Sequence, residues 1–68
     1  MQSTGLRYFL AVARTGSIAA ASAQLNVAAS AISRQIANLE AELDCVLFER
    51  RPRGMVPSPA GELLAQHA

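Results

Sequence analysis

The side chains able to do chemistry in this 68-residue chain are six arginines, a handful of serines, one cysteine and one histidine. Every cation is arginine, and lysine is absent. A guanidinium is a planar fork of donors that fits phosphate oxygens and base edges, whereas an ammonium offers only a mobile point charge. The arginines are unevenly placed: Arg7, Arg14 and Arg34 precede any acid, Glu40, Glu42, Asp44 and Glu49 then crowd together, and Arg50, Arg51 and Arg53 cluster immediately after. A net charge of +1 taken alone argues against a nucleic-acid partner, but the polarised distribution argues for one.

Other chemistry finds few materials. Cys45 has no second thiol for a disulfide, and with His67 it supplies two of the four ligands of a structural zinc site. His67, next to the last residue, is the lone imidazole, and no nucleophile stands in a recognisable arrangement with a base. The expectation is no metal, no cofactor and no enzyme. Cys45 reads as a buried thiol, a redox role being the lesser alternative because no cation lies nearer in sequence than the Arg50 cluster. His67 reads as a surface residue of a terminal helix.

The elements that position these residues must come from a small core. Hydrophobic residues make up 51% of the chain, but fourteen of the thirty-five are alanine, which favours closely packed helices. A domain of this size buries only about 60% of the surface its unfolded chain exposes, so stability is marginal and a second domain has no room. The longest apolar run, Tyr8 to Ala13, falls far short of the roughly 20 residues that cross a bilayer. No membrane segment or secretory signal is expected, and the reducing cytoplasm is the expected compartment.

Leu6, Phe9, Leu10 and Ala13 mark a first helix over about residues 4–14, with Thr15-Gly16 as its stop. Ser17 stands as N-cap before Ile18, Ala21, Ser22 and Leu25, a second helix over about 18–25 that ends at Asn26. Ile32, Ile36, Leu39 and Leu43 fall on one side of a third helix over about 29–43 and read as core in preference to a coiled-coil seam. Its opposite side carries Ser30, Arg34, Ala37 and Ala41, flanked by Ser33. Val46-Leu47-Phe48 and Met55-Val56 then form a hairpin around a Pro52-Arg53-Gly54 turn. Ser58 and Pro59 start a fourth helix. This is the order of a winged helix-turn-helix, a mainly α fold with a three-helix core and a small β-hairpin wing. Its third helix suits a major groove about 12 Å wide, and its arginine-bearing hairpin suits flanking phosphates or the minor groove.

The chain also resembles, along essentially its whole length, the N-terminal DNA-binding domain of the LysR-type transcriptional regulators. The resemblance is carried by Leu6-Arg7-Tyr8-Phe9, Gly16-Ser17-Ile18, Ala31-Ile32-Ser33-Arg34-Gln35-Ile36 continuing to Leu39-Glu40 and Leu43, Leu47-Phe48-Glu49-Arg50, and Ser58-Pro59-Ala60-Gly61. It implies a bacterial regulator that binds double-stranded DNA sequence-specifically as a homodimer or tetramer when full length. It further implies a winged domain over residues 1–57, the start of a truncated dimerisation linker helix over 58–68, and a small-molecule inducer that acts only through an effector domain absent here. On this reading the chain is a fragment, and its DNA-binding residues are Ser17, Ala28, Ala29, Ser30, Ser33, Arg34, Arg50, Arg51 and Arg53.

Several residues depart from the family pattern. Ala28, Ala29 and Ser30 stand where serine, glutamine and proline are usual, so the helix start loses a side-chain cap unless Ser30 supplies it, and loses an amide able to read adenine. Asp44 replaces a glycine and tolerates the left-handed conformation; Pro57 replaces a leucine and is expected to shorten the second wing strand. Blander readings stand beside the functional ones. Ser17 caps a helix whether or not its neighbouring amides bind phosphate, Ser33 and Arg34 are ordinary solvated positions on many helices, Arg50 is able to brace the wing against Glu40, and any of the wing arginines is able to pair with Glu49. Arg53 is therefore the favoured wing contact. The alternative function is a degenerate winged helix whose alanine-rich third helix serves protein interaction or self-association.

Overall fold

The computed structural model describes residues 4–52 and 54–67. Three helices, α1 (Thr4–Thr15), α2 (Ile18–Leu25) and α3 (Ala29–Leu43), are followed by an antiparallel hairpin of β1 (Phe48–Arg51) and β2 (Gly54–Pro57) and by α4 (Pro59–His67). The hairpin pairs Phe48 with Pro57 and Arg51 with Gly54. This is the winged helix-turn-helix expected from the helix periodicity, and its helix bounds lie within a residue of those read from the sequence.

Local chemistry sets each boundary. Gly16 takes a φ of 84° and its N–H donates to Val12 O at 2.8 Å, which closes α1. Ser17 is extended, and its Oγ accepts from the Ala20 N–H at 2.9 Å, satisfying one orphan amide of α2. Asn26 and Asp44, both left-handed with φ of 57° and 54°, end α2 and α3; their short polar side chains make that region accessible. Ala28 is the N-cap of α3 and makes no side-chain cap bond, and Ser30, inside the helix, does not substitute for it. The turn between α2 and α3 is held instead from α2: the Ser22 hydroxyl donates to Val27 O at 2.5 Å, and the Val27 N–H returns to Ser22 O at 3.3 Å.

The core gathers Phe9 and Val12 of α1, Ala21 of α2, Ile32, Ile36 and Leu39 of α3, and Leu47 and Phe48 at the base of the hairpin. The rings of Phe9 and Phe48 lie 5.1 Å apart at 45°, so the wing base packs directly on α1. Gly5 lets α1 approach α3, since a Cβ there would stand 3.2 Å from Gln35 O.

Four expectations need correction. Leu43 is 47% exposed, because α3 outruns the core by its last turn. Val46 is 62% exposed and, with Leu47, lies before β1 and outside it. Pro57 does not shorten β2: it is the strand's last residue, paired with Phe48, where a two-stranded ribbon has only edges and a missing N–H is tolerated. Cys45 is half-buried, not fully buried.

Candidate nucleic-acid interface

The outer side of α3 is the surface that the sequence marks for recognition. Ala28, Ala29, Ser30, Arg34, Ala37 and Ala41 are exposed, and Ser33 is half-buried at the edge of that side. No acid occurs between Ala28 and Leu39, so the first three turns or so of α3 offer Arg34 and the positive end of the helix dipole. Glu40, Glu42 and Asp44 crowd the other end. The charges along α3 therefore favour an anion at its N-terminal half and disfavour one at its C-terminal end.

Ser33 and Arg50 come together although sixteen residues separate them in the chain. Both line a groove of about 290 Å³ between α3 and the wing, whose floor includes Ile18, Ile36, Phe48 and Met55. Alternation along β1 explains the placement: Phe48 turns into the core, and Arg50, two residues on, lies on the same side beside α3. Glu49 and Arg51 occupy the opposite side, where the Arg51 Nη2 donates to the Glu49 carboxylate at 2.6 Å. Both partners are about half exposed, so the pair is a weak restraint, and it is the Glu49 pairing that the sequence left open for the wing arginines.

Arg50 is exposed and does not brace Glu40 as an ion pair among the described residues. Glu40 has a different partner, the Leu47 N–H, which donates to its Oε2 at 2.8 Å. Arg34 and Arg50 thus reach the surface without an ion-pair partner among the described residues. Arg53 lies outside the described residues. Ser17 is half-buried, and its hydroxyl oxygen accepts the cap bond that orders the start of α2, a helix end whose amides suit a phosphate.

Sequence reasoning missed what places the wing. The Met55 N–H donates to Gly16 O at 2.9 Å, docking β2 on the turn between α1 and α2. At the other end, the Ser58 hydroxyl donates to Val46 O at 2.5 Å while its oxygen accepts from the Gly61 N–H at 3.0 Å, and the Ser58 N–H donates to Leu47 O at 2.9 Å. A Cβ at Gly61 would collide with Leu47 O. Of these contacts the sequence shows the Ser58 cap of α4 and the glycines, but not the bonds from Ser58 to Val46 and Leu47 or from Met55 to Gly16. Among the described residues no group of three or more potential metal ligands occurs, and no helix is long and apolar enough to cross a membrane.

Comparison with known proteins places this geometry. The chain is 46% identical over all 68 of its residues to the HTH-type transcriptional regulator YofA of Bacillus subtilis, of which it covers 24%. It superposes with a TM-score of 0.92 on the DNA-binding domain of CbnR in a complex with DNA, at 42% identity, covering 98% of this chain and 77% of that one. The DNA-binding domain of BenM bound to the catB site 1 DNA gives the same TM-score at 40% identity, covering 98% and 74%. The chain spans about a quarter of the length of the curated relatives it matches. Residues 4–62 match the description bacterial regulatory helix-turn-helix protein, lysR family, and the chain belongs to that family.

Proposed function

We propose that this chain is the DNA-binding part of a bacterial transcription regulator and that it binds double-stranded DNA sequence-specifically. One observation carries the reading: a helix with a small, acid-free, Arg34-bearing outer face lies beside a wing whose Arg50 shares a groove with Ser33. The N-terminal half of α3 enters the major groove, with Ala28, Ala29, Ser30, Ser33 and Arg34 toward the base edges. Arg50 and Arg53 approach the flanking backbone or minor groove, Arg51 does so after leaving Glu49, and the amides behind Ser17 receive a phosphate.

The neighbours with DNA in their structures, CbnR and BenM, support this reading. So does the chemistry of the side chains. Arginine donates bidentately to guanine and to phosphate, serine donates singly, and alanine methyls exclude water and meet thymine methyls. Residues 1–57 form the winged domain, and residues 58–68 begin a linker helix through which the longer protein dimerises or forms tetramers. An inducer acts on that longer protein through a separate effector domain. A role on DNA places the protein in the cytoplasm and requires no enzymatic step.

In-vitro selection from a randomised duplex library tests the reading. It should converge on a short shared motif, the half-site that one recognition helix reads, and sequences recovered without any shared motif would reduce the function to non-specific binding. The alternative, a protein partner on the alanine-rich face of α3, competes with DNA for that face; a second surface open to a protein is the apolar groove lined by Leu43, Cys45, Leu63 and Leu64. That surface lies at the C-terminal end of α3 and on α4, so its occupation by a protein is compatible with DNA on the N-terminal half of α3.

A further inference from the structure

We infer that Glu40 is a positioning residue for DNA binding: by holding the Leu47 N–H it fixes the wing, and with it Arg50, at a set distance from the recognition helix. The inference rests on the DNA-binding reading above.

Glu40 does two things at once. Its backbone carbonyl accepts from the Cys45 N–H at 3.2 Å, ending α3, while its side chain reaches past that end to the Leu47 N–H at 2.8 Å. Leu47 is buried at 1% exposure, and its carbonyl is held by the Ser58 N–H and abutted by Gly61. The peptide groups on either side of Leu47 are therefore clamped between α3 and the start of α4, and β1 begins at the next residue. Arg50 is three residues beyond Leu47 on a stiff two-stranded ribbon, so the orientation of that clamp sets where the guanidinium stands relative to Ser33.

A carboxylate is a costly choice at this spot if geometry were not its purpose. Glu40 lines the same groove as Ser33 and Arg50, where its charge opposes an approaching phosphate. What it supplies in return is a charge-assisted bond to a backbone N–H that has left both helix and ladder, and such bonds are about twice as strong as neutral ones. If Glu40 acted by pairing with Arg50, the negative charge would be indispensable; if it acts by holding Leu47, an amide oxygen in the same place suffices.

The test is a double-mutant cycle on this chain, with a fluorescein-labelled duplex recovered by the selection above and each variant's thermal melt measured alongside. Glu40→Gln should bind as tightly as the parent or more tightly, and Glu40→Ala should bind about tenfold more weakly at a temperature where it is still folded. Arg50→Ala should cost about tenfold in the parent background but less than about threefold in the Glu40→Ala background, because a wing still docked at Gly16 and Ser58 but released from α3 at Leu47 has already weakened that contact. Arg34→Ala should cost the same in both, which a general loss of stability does not predict. Equal costs of Arg50→Ala in the two backgrounds, or an equal loss in Glu40→Gln and Glu40→Ala, would overturn the inference while leaving DNA binding intact. Absence of binding by the parent to any duplex would overturn both.

Discussion

The backbone carbonyl of Gly16 accepts a hydrogen bond from the Met55 N–H at 2.9 Å, which ties the turn before α2 to the second strand of the wing. Gly54, the residue before Met55, makes that approach possible. It has a φ of 145°, and a Cβ on it would stand 2.5 Å from Gly16 O. Gly54→Ala should therefore cost about 1–3 kcal/mol from the backbone conformation alone, with the collision added. Circular dichroism melts check this, and a melt equal to the parent's would show that the wing docks differently.

Ser58 joins α4 to the rest of the domain through a hydroxyl that both donates and accepts, at 6% exposure. Ser58→Ala removes the N-cap of α4 and strands Val46 O, and each loss costs roughly 1 kcal/mol. A destabilisation of about 1–3 kcal/mol is expected in urea unfolding, with an unchanged m-value. Gly61→Ala should be worse, because its Cβ meets the Leu47 carbonyl and backbone cannot yield as a side chain does.

Leu39 and Leu43 occupy the same stripe of α3 but not the same environment. Leu39 is 8% exposed and Leu43 is 47% exposed. Leu39→Ala should cost roughly 2–5 kcal/mol, close to the whole stability of a domain this small, and leave it largely unfolded near 25 °C. Leu43→Ala should cost less than about 1 kcal/mol. Paired denaturant titrations distinguish the two, and similar losses would contradict the placement of the last turn of α3.

Periodicity and end signals made the helices legible in the sequence. Ser17, Asn26, Asp44 and the Ser58-Pro59 pair each act locally, within one turn, and each sits where its own chemistry requires. The start of the wing was not legible. Val46 and Leu47 have strand character, yet the Leu47 N–H is taken by Glu40 and Val46 O by Ser58, partners seven and twelve residues away. A residue pattern cannot reveal that a backbone group is claimed by a distant side chain. The exposed side of α3 was readable because it is the complement of the apolar stripe; the shared groove of Ser33 and Arg50 was not, since it depends on how the hairpin is docked.

Ala28 is extended at φ −65° and ψ 141°, exposed, and makes no side-chain cap bond. Ala28→Ser should let a hydroxyl accept from the uncapped first turn of α3 and raise stability by about 0.5–1 kcal/mol. A thermal melt reads the gain directly. A neutral or lower melting temperature would mean that the first-turn amides are already satisfied by solvent at no cost.

The measurement that bears most directly on the central claim is a fluorescence anisotropy titration of the selected duplex at two salt concentrations, with the parent chain and Arg34→Ala. Binding by the parent should weaken linearly in log K against log[salt], as counterions released from the duplex require. Arg34→Ala should keep the parent's melt and either flatten that slope by about 0.9 per subunit, if the guanidinium meets a phosphate, or relax sequence preference at one position, if it meets a base. No binding by the parent at low salt, together with self-association, would contradict the account and favour a protein-interaction role for α3.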